Sequence, residues 1–88
     1  MGNKAIEIVE DLGFTHNGDW QSKALLGSDM VQSTLIQIND KEYCVTCTTE
    51  TNIYTLSRED NGLVIIYSGF SLEKLKEAIM REEKPINA

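Results

Sequence analysis

A regular alternation of strand-like segments and turns between residues 31 and 67 limits the fold more than any other feature. Four segments are rich in β-branched and apolar residues, and short clusters of Asn, Asp, Glu and Gly separate them. The segments are residues 31–38, 42–48, 53–58 and 63–67. Turns at such regular, short spacing are typical of antiparallel strands joined in order along the chain. The pattern therefore predicts an antiparallel meander sheet.

One amphipathic helix is predicted before these strands and one after them. Over residues 4–12, apolar side chains recur at intervals of three and four, as on one face of a helix: Ala5, Ile8, Val9 and Leu12. Asn3 is suited to cap this helix. Ser71 can cap the second helix, whose apolar stripe consists of Leu72, Leu75, Ala78 and Ile79. Pro85 is predicted to stop it.

The order of elements, α-β-β-β-β-α, predicts a single small α+β domain over residues 1–88. A turn is predicted at residues 15–19, and a further short strand is allowed at residues 20–26. Because one antiparallel sheet can accept both apolar helix faces, we expect two layers, with both helices on one side of four to five strands. The other sheet face would be partly bare, with these candidates or their neighbours on it: Tyr54, Leu56, Val64 and Ile66.

The lengths of the apolar runs and the number of cysteines disfavour membrane-spanning, secreted and disulfide-rich proteins. The longest purely apolar run is residues 63–67, whereas a membrane-spanning helix needs about 20 residues. No apolar stretch of the secretory type follows Met1. Two cysteines are too few for a disulfide framework. We therefore expect a cytoplasmic protein with reduced thiols and no membrane partner.

No catalytic, cofactor or metal motif is recognisable in the chain. Cys44 and Cys47 form a C-x-x-C pair, but residues three apart in a strand point to opposite faces. His16, the single histidine, falls in a turn-rich segment. We expect no enzyme activity, no cofactor and no metal. The alternative for the cysteines is a zinc site of four thiolates shared by two copies of the chain.

The balance of charge is acidic, with 8 Lys and Arg against 14 Asp and Glu and a net charge of −6. This balance disfavours direct nucleic-acid binding, which depends on Lys and Arg contacts to phosphates. Residues 71–88 hold four bases and four acids, so the acidic excess belongs to the first helix and the sheet.

Alternate turns of an up-and-down meander lie at the same end of the sheet. Four carboxylates are therefore predicted to gather at one end, which we name the acidic end: Asp40, Glu42, Glu59 and Asp60. Lys41 and Arg58 offset their charge in part. Tyr54 belongs to a residue type that is enriched at interfaces, and it is predicted to contribute to partner binding together with the four carboxylates.

In the middle of the chain, a strand with polar residues and a Leu-Ile pair is followed by an Asn-Asp turn and a Glu-Tyr strand. The residues are 33–40 (STLIQIND) and 42–45 (EYCV). With the preceding helix and Gly-Ser-Asp turn, they resemble the anti-CRISPR proteins, small acidic inhibitors that phages make against bacterial Cas nucleases. The chain is less acidic than one group of Cas9 inhibitors, and its C-terminal helix is balanced in charge. The resemblance implies inhibition of a nucleic-acid-handling enzyme.

These features predict a non-enzymatic protein-binding module, a phage-type inhibitor whose acidic end occupies a basic surface on its partner. The chain itself would be a monomer or a homodimer. The alternative is a homodimer that binds a small ligand on the open sheet face.

Overall fold

The structure, a computed structural model, describes residues 2–24 and 27–84. It confirms an α+β fold with one helix, five antiparallel strands and a second helix. The helices are α1 (Lys4–Asp11) and α2 (Leu72–Glu83). The strands are β1 (His16–Lys23), β2 (Met30–Ile38), β3 (Lys41–Thr48), β4 (Tyr54–Glu59) and β5 (Leu63–Gly69).

The five strands form one sheet in the order β1-β2-β3-β4-β5, so each strand pairs with its neighbour in sequence. β1 and β5 are the two edges. Asn39 and Asp40 connect β2 to β3 with φ angles of 51° and 69°. Positive φ at both central residues defines the tight hairpin turn that matches the twist of antiparallel strands. The Asn-Asp turn inferred from the sequence is therefore confirmed.

The core lies between the sheet and the two helices, which pack on the same sheet face. α1 contacts β1, β2 and β3, whereas α2 contacts β4 and β5. Strand alternation directs one side chain in two toward the helices. The buried apolar residues are Ala5, Ile8, Val9, Ile36, Ile38, Tyr43, Val45, Cys47, Tyr54, Leu56, Leu75, Ala78 and Ile79. We name this side of the sheet the helix face and the other side the open face.

β1 differs from the sequence prediction because it begins at His16 and runs through the expected turn at residues 15–19. Gly18 adopts a φ of 95°, and the β1–β2 register shifts by one residue at this point. The strand therefore accommodates Gly18 and Asp19, opposite Thr34, as a β-bulge. The Thr34 hydroxyl donates to the Gly18 carbonyl at 2.6 Å and holds the bulge in place. Leu25 and Leu26, at the end of the predicted strand 20–26, lie outside the described residues.

Both predicted helix caps are confirmed. The Asn3 side-chain oxygen accepts from the N–H groups of Ala5 and Ile6 at the start of α1. The Ser71 hydroxyl oxygen accepts from the Lys74 N–H at the start of α2. Pro85, the predicted stop of α2, lies outside the described residues.

Asp29 joins the segment before β2 to the β3–β4 connection. Its carboxylate accepts from the Thr51 hydroxyl at 2.7 Å and from the Glu50 N–H at 2.7 Å, with a longer contact from the Thr49 hydroxyl at 3.3 Å. The bonds from Thr51 and Glu50 favour the charged form and hold the pKa of Asp29 below its ordinary value of 3.8. Asp29 therefore links the two loops through hydrogen bonds.

The low pKa of Asp29 makes a pH-dependent contribution to stability. The unfolded chain binds a proton at this site more readily than the folded chain, so the stabilisation is present above pH 3.8 and is lost as the pH falls below it. Below pH 3.8, unfolding of the wild type should bind up to one more proton per chain than unfolding of Asp29→Asn does. The free energy of unfolding of the wild type should therefore fall more steeply as the pH is lowered. Denaturant titrations at several acidic pH values measure this. Thr51→Val should show an intermediate dependence, and equal acid dependence in all three proteins would contradict the prediction.

Candidate protein-binding surface

The open face of the sheet is polar through its middle. Side chains that pair across the strands form a row on this face: Trp20, Ser33, Thr46, Thr55 and Ser68. The open face carries the neighbours of the named candidates rather than the candidates themselves. Tyr54 and Leu56 are buried on the helix face, and Ile66 packs against the core. Val64 pairs with Arg58 on the helix side of the strand, where it is partly exposed.

The acidic end forms where the β2–β3 and β4–β5 turns meet, as the meander requires. Glu42 pairs with Gln37 on β2, and Glu59 pairs with Leu63 on β5. Tyr43 and Arg58 are the last pair between β3 and β4, and Glu42 and Glu59 are the next residues of the two strands toward this end. By strand alternation both carboxylates project from the open face. Two acidic side chains of adjacent strands thus lie side by side with no helix above them.

Strand alternation places the two nearby bases on the other side of the sheet. Lys41 pairs with Ile38, and Arg58 pairs with Tyr43, and both of these partners are buried on the helix face. An Arg58 N–H donates to an Asp60 carboxylate oxygen at 2.9 Å. Arg58 therefore offsets the charge of Asp60 more than that of Glu42 and Glu59.

A surface depression of about 330 Å³ joins most of these charged side chains at the end of the sheet. Its lining consists of Lys41, Glu42, Arg58, Glu59 and Asp60. The structure thus brings together three of the four predicted carboxylates. Asp40 lies in the neighbouring hairpin turn, exposed to solvent, and is not part of this lining.

The turn that carries Asp40 is fixed to the end of α2. The Asn39 side-chain amide donates to the carbonyl oxygens of Glu82 and Glu83 at 3.2 and 3.1 Å. Beside it, the Tyr43 hydroxyl donates to a Glu82 carboxylate oxygen at 2.8 Å. Burial, and then this bond to Glu82, raise the pKa of Tyr43. The acidic end is therefore held to the end of α2 by hydrogen bonds from Asn39 and Tyr43.

Tyr54 does not lie at the acidic end. It pairs with Cys47 at the far end of β4 and is 8% exposed on the helix face. The Lys4 ammonium lies 5.8 Å from the centre of its ring. The structure therefore makes Tyr54 a core residue, and we leave it out of the candidate surface.

Exposed apolar side chains lie on and beside β5, where Leu63 and Ile65 are neighbours of the named candidates Val64 and Ile66, and Phe70 was not expected. Leu63 is 70% exposed, Ile65 57% and Phe70 74%. In the β4–β5 pair, Leu56 is opposite Tyr67 and Ser57 is opposite Ile65, so Ile66 is an extra residue in a bulge. Such a bulge shifts which residues face the core, and simple alternation along residues 63–67 gave no signal for it.

The two cysteines lie on opposite faces of β3, as strand alternation predicts. Cys47 is buried on the helix face, where burial raises its thiol pKa. The Cys44 sulfur lies 3.5 Å from the Thr46 hydroxyl on the open face. His16 contacts a Glu10 carboxylate oxygen through Nε2 at 2.9 Å. This places His16 beside α1, away from the polar row on the open face.

Over residues 2–24 and 27–84, no three His, Cys, Asp or Glu side chains are arranged to hold a metal ion. Neither helix in this part of the chain has the length and apolar character to cross a membrane.

The chain was also compared with known proteins. No protein-family model matches it, and searches of curated proteins and of solved structures returned no match.

Proposed function

We propose that the chain is a non-enzymatic protein-binding module whose acidic end occupies a basic surface on another protein. The observation that carries this proposal is that Glu42 and Glu59, at the ends of adjacent strands, line one depression and by strand alternation belong to the open face. Lys41 and Arg58, the bases nearest in sequence, project toward the other face. The pair thus presents concentrated negative charge to an incoming partner.

The arrangement is unfavourable for the isolated chain. Like charges directly opposite each other on adjacent strands destabilise a sheet. A Lys or Arg side chain of a partner would relieve that repulsion and gain charge-assisted hydrogen bonds. Complementary charge also accelerates encounter with a partner and disfavours acidic competitors. The pair therefore contributes more in a complex with a basic protein than in the free chain.

Proteins that handle nucleic acids are the partner class that best fits this chemistry. They bind phosphates through surfaces rich in Lys and Arg, and such a surface also attracts clustered carboxylates. Occupation of that surface by Glu42 and Glu59 would exclude the nucleic acid. The resemblance to anti-CRISPR proteins favours the same class, so we propose that the chain inhibits such an enzyme.

Affinity capture from a bacterial lysate at low salt, with paired charge reversals, tests the proposal. Glu42→Lys/Glu59→Lys removes the acidic pair, and Glu73→Lys/Glu77→Lys makes the same change in net charge on the exposed side of α2. We expect a protein that the wild type and the α2 variant retain but the sheet variant loses, with retention falling as salt rises. Nucleic acid should compete for that protein. Equal capture by both variants, or no capture by the wild type, would contradict the proposal.

The single variant Glu59→Gln separates binding from folding. Removal of one of two opposed charges should raise the free energy of unfolding by about 0.5 kcal/mol while it weakens capture of the partner. Denaturant unfolding measures the first effect. Loss of stability together with loss of capture would indicate that Glu59 has a structural role.

A further inference from the structure

β5 is an edge of the sheet that carries an unusual amount of exposed apolar surface. It pairs only with β4 among the described strands. Its first residues, Leu63 to Ile65, are exposed, and Phe70 just beyond it is the most exposed large apolar side chain in the described chain. An edge strand leaves one row of backbone N–H and C=O groups without a strand partner. β5 therefore offers both backbone hydrogen bonds and apolar contacts.

The other edge shows the protection that β5 lacks. β1 has polar side chains at most of its positions, a bulge at Gly18 and Lys23 near its end. Bulges and charged residues on an edge strand discourage pairing with another chain. β5 also has a bulge, at Ile66, but the regular stretch before it carries the exposed side chains. Residues 63–70 contain no Asp, Glu, Lys or Arg.

We infer that β5 pairs with β5 of a second copy of this chain, antiparallel about a twofold axis, and joins the two sheets into one. Such an interface brings each residue of the strand against the same strand of the partner, so the strand must complement itself. An uncharged, apolar strand meets that condition because pairing creates no contact between like charges.

The positions of the charges favour the antiparallel arrangement. The acidic end lies at the start of β5, and α2 begins just beyond its other end. A twofold axis at Ile65 offsets the starts of the two β5 strands, and with them the acidic ends, by four residues, or about 13 Å at 3.3 Å per residue, which exceeds a Debye length of about 8 Å. Antiparallel pairing therefore places the start of each β5 toward the end of the partner's β5 and keeps the two acidic ends apart.

The area available is sufficient for a modest dimer. Leu63, Val64, Ile65 and Phe70 are 36–74% exposed, and together with the paired backbones they can contribute to an interface at the low end of the stable range, roughly 1,200 Å² in total. A dimer formed in this way leaves Glu42 and Glu59 on the open face. The inference is therefore independent of the proposed function.

Sedimentation velocity over micromolar to several hundred micromolar concentrations tests the dimer. The wild type is expected to reach twice the mass of one chain. Ile65→Lys should raise the dissociation constant about tenfold, because it removes apolar contact and sets two ammonium groups near each other across the twofold axis. Met80→Lys makes the same kind of change at an exposed apolar residue of α2 and should leave the dimer intact. A monomer at all concentrations would overturn the inference, as would equal effects of the two variants.

Hydrogen exchange locates the interface. The amides of residues 63–65 should exchange more slowly at high than at low protein concentration, whereas the amides of β1 should not change. Protection on β1 in place of β5 would overturn the inference. So would a wild-type monomer whose β5 amides become protected only in a complex with another protein, since that result would make β5 a docking strand for a different partner.

Discussion

Replacement of Asn3 by alanine is expected to lower the free energy of unfolding by about 3 kcal/mol, because Asn3 joins α1 to the sheet as well as capping it. Its side-chain oxygen accepts from two N–H groups of α1. Its amide nitrogen donates to an Asp19 carboxylate oxygen at 2.9 Å and lies within 3.2 Å of the Ser33 carbonyl oxygen and 3.4 Å of the Trp20 carbonyl oxygen. Alanine would leave these acceptors without their donor. Denaturant unfolding measures the loss.

Asn3→Asp distinguishes the two roles of this side chain. At an ordinary helix N-cap, aspartate performs as well as asparagine. Here a carboxylate would face Asp19 and two carbonyl oxygens, so we expect a loss at least as large as that for alanine. Ser71, which caps α2, provides the matched control: alanine should cost about 1 kcal/mol and aspartate close to nothing. Wild-type stability of Asn3→Asp would show that the amide donor is dispensable.

The sequence predicted that Asn3 caps a helix, because that role depends only on residues nearby in the chain. Its second role requires β1 and β2 to lie beneath the start of α1, and no local pattern shows that contact. The same limit explains β1. An Asn-Gly pair predicts a turn from local preference, but pairing with β2 and the hydrogen bond from Thr34 keep Gly18 within the strand as part of a bulge. Tertiary contacts thus decided between two local conformations.

The candidate surface could be predicted in part for a similar reason. The meander order alone brings the β2–β3 and β4–β5 turns together, so the clustering of Glu42 with Glu59 followed from the turn spacing. The face on which each side chain lies depends on register, which the sequence left open. Tyr54 lies on the helix face because it pairs with the buried Cys47. The bulge at Ile66 then separates Tyr67, on the helix face, from Leu63 and Ile65 on the open face, whereas alternation alone would place all three on one face.

Leu56→Ala is expected to lower the free energy of unfolding by about 3 kcal/mol, within the range of 2–5 kcal/mol that buried leucines show. Leu56 is fully buried at the centre of β4, between Val45 on β3 and Tyr67 on β5. Alanine would leave a cavity that the surrounding strands and α2 can close only in part. A domain of this size has a total stability on the order of 5–10 kcal/mol, so the variant should unfold at a much lower denaturant concentration.

Leu63→Ala is the matched control, since the same atoms are removed from an exposed position on the neighbouring strand. In dilute solution we expect its stability to lie within about 0.5 kcal/mol of the wild type. If β5 pairs with a second copy, Leu63→Ala should weaken that dimer. The free energy of unfolding of the wild type should then rise with protein concentration more than that of Leu63→Ala does. Leu56→Ala should lose the same free energy at every concentration at which the monomer predominates. A concentration-independent loss at Leu63 comparable with that at Leu56 would contradict both the assigned faces of β4 and β5 and the dimer.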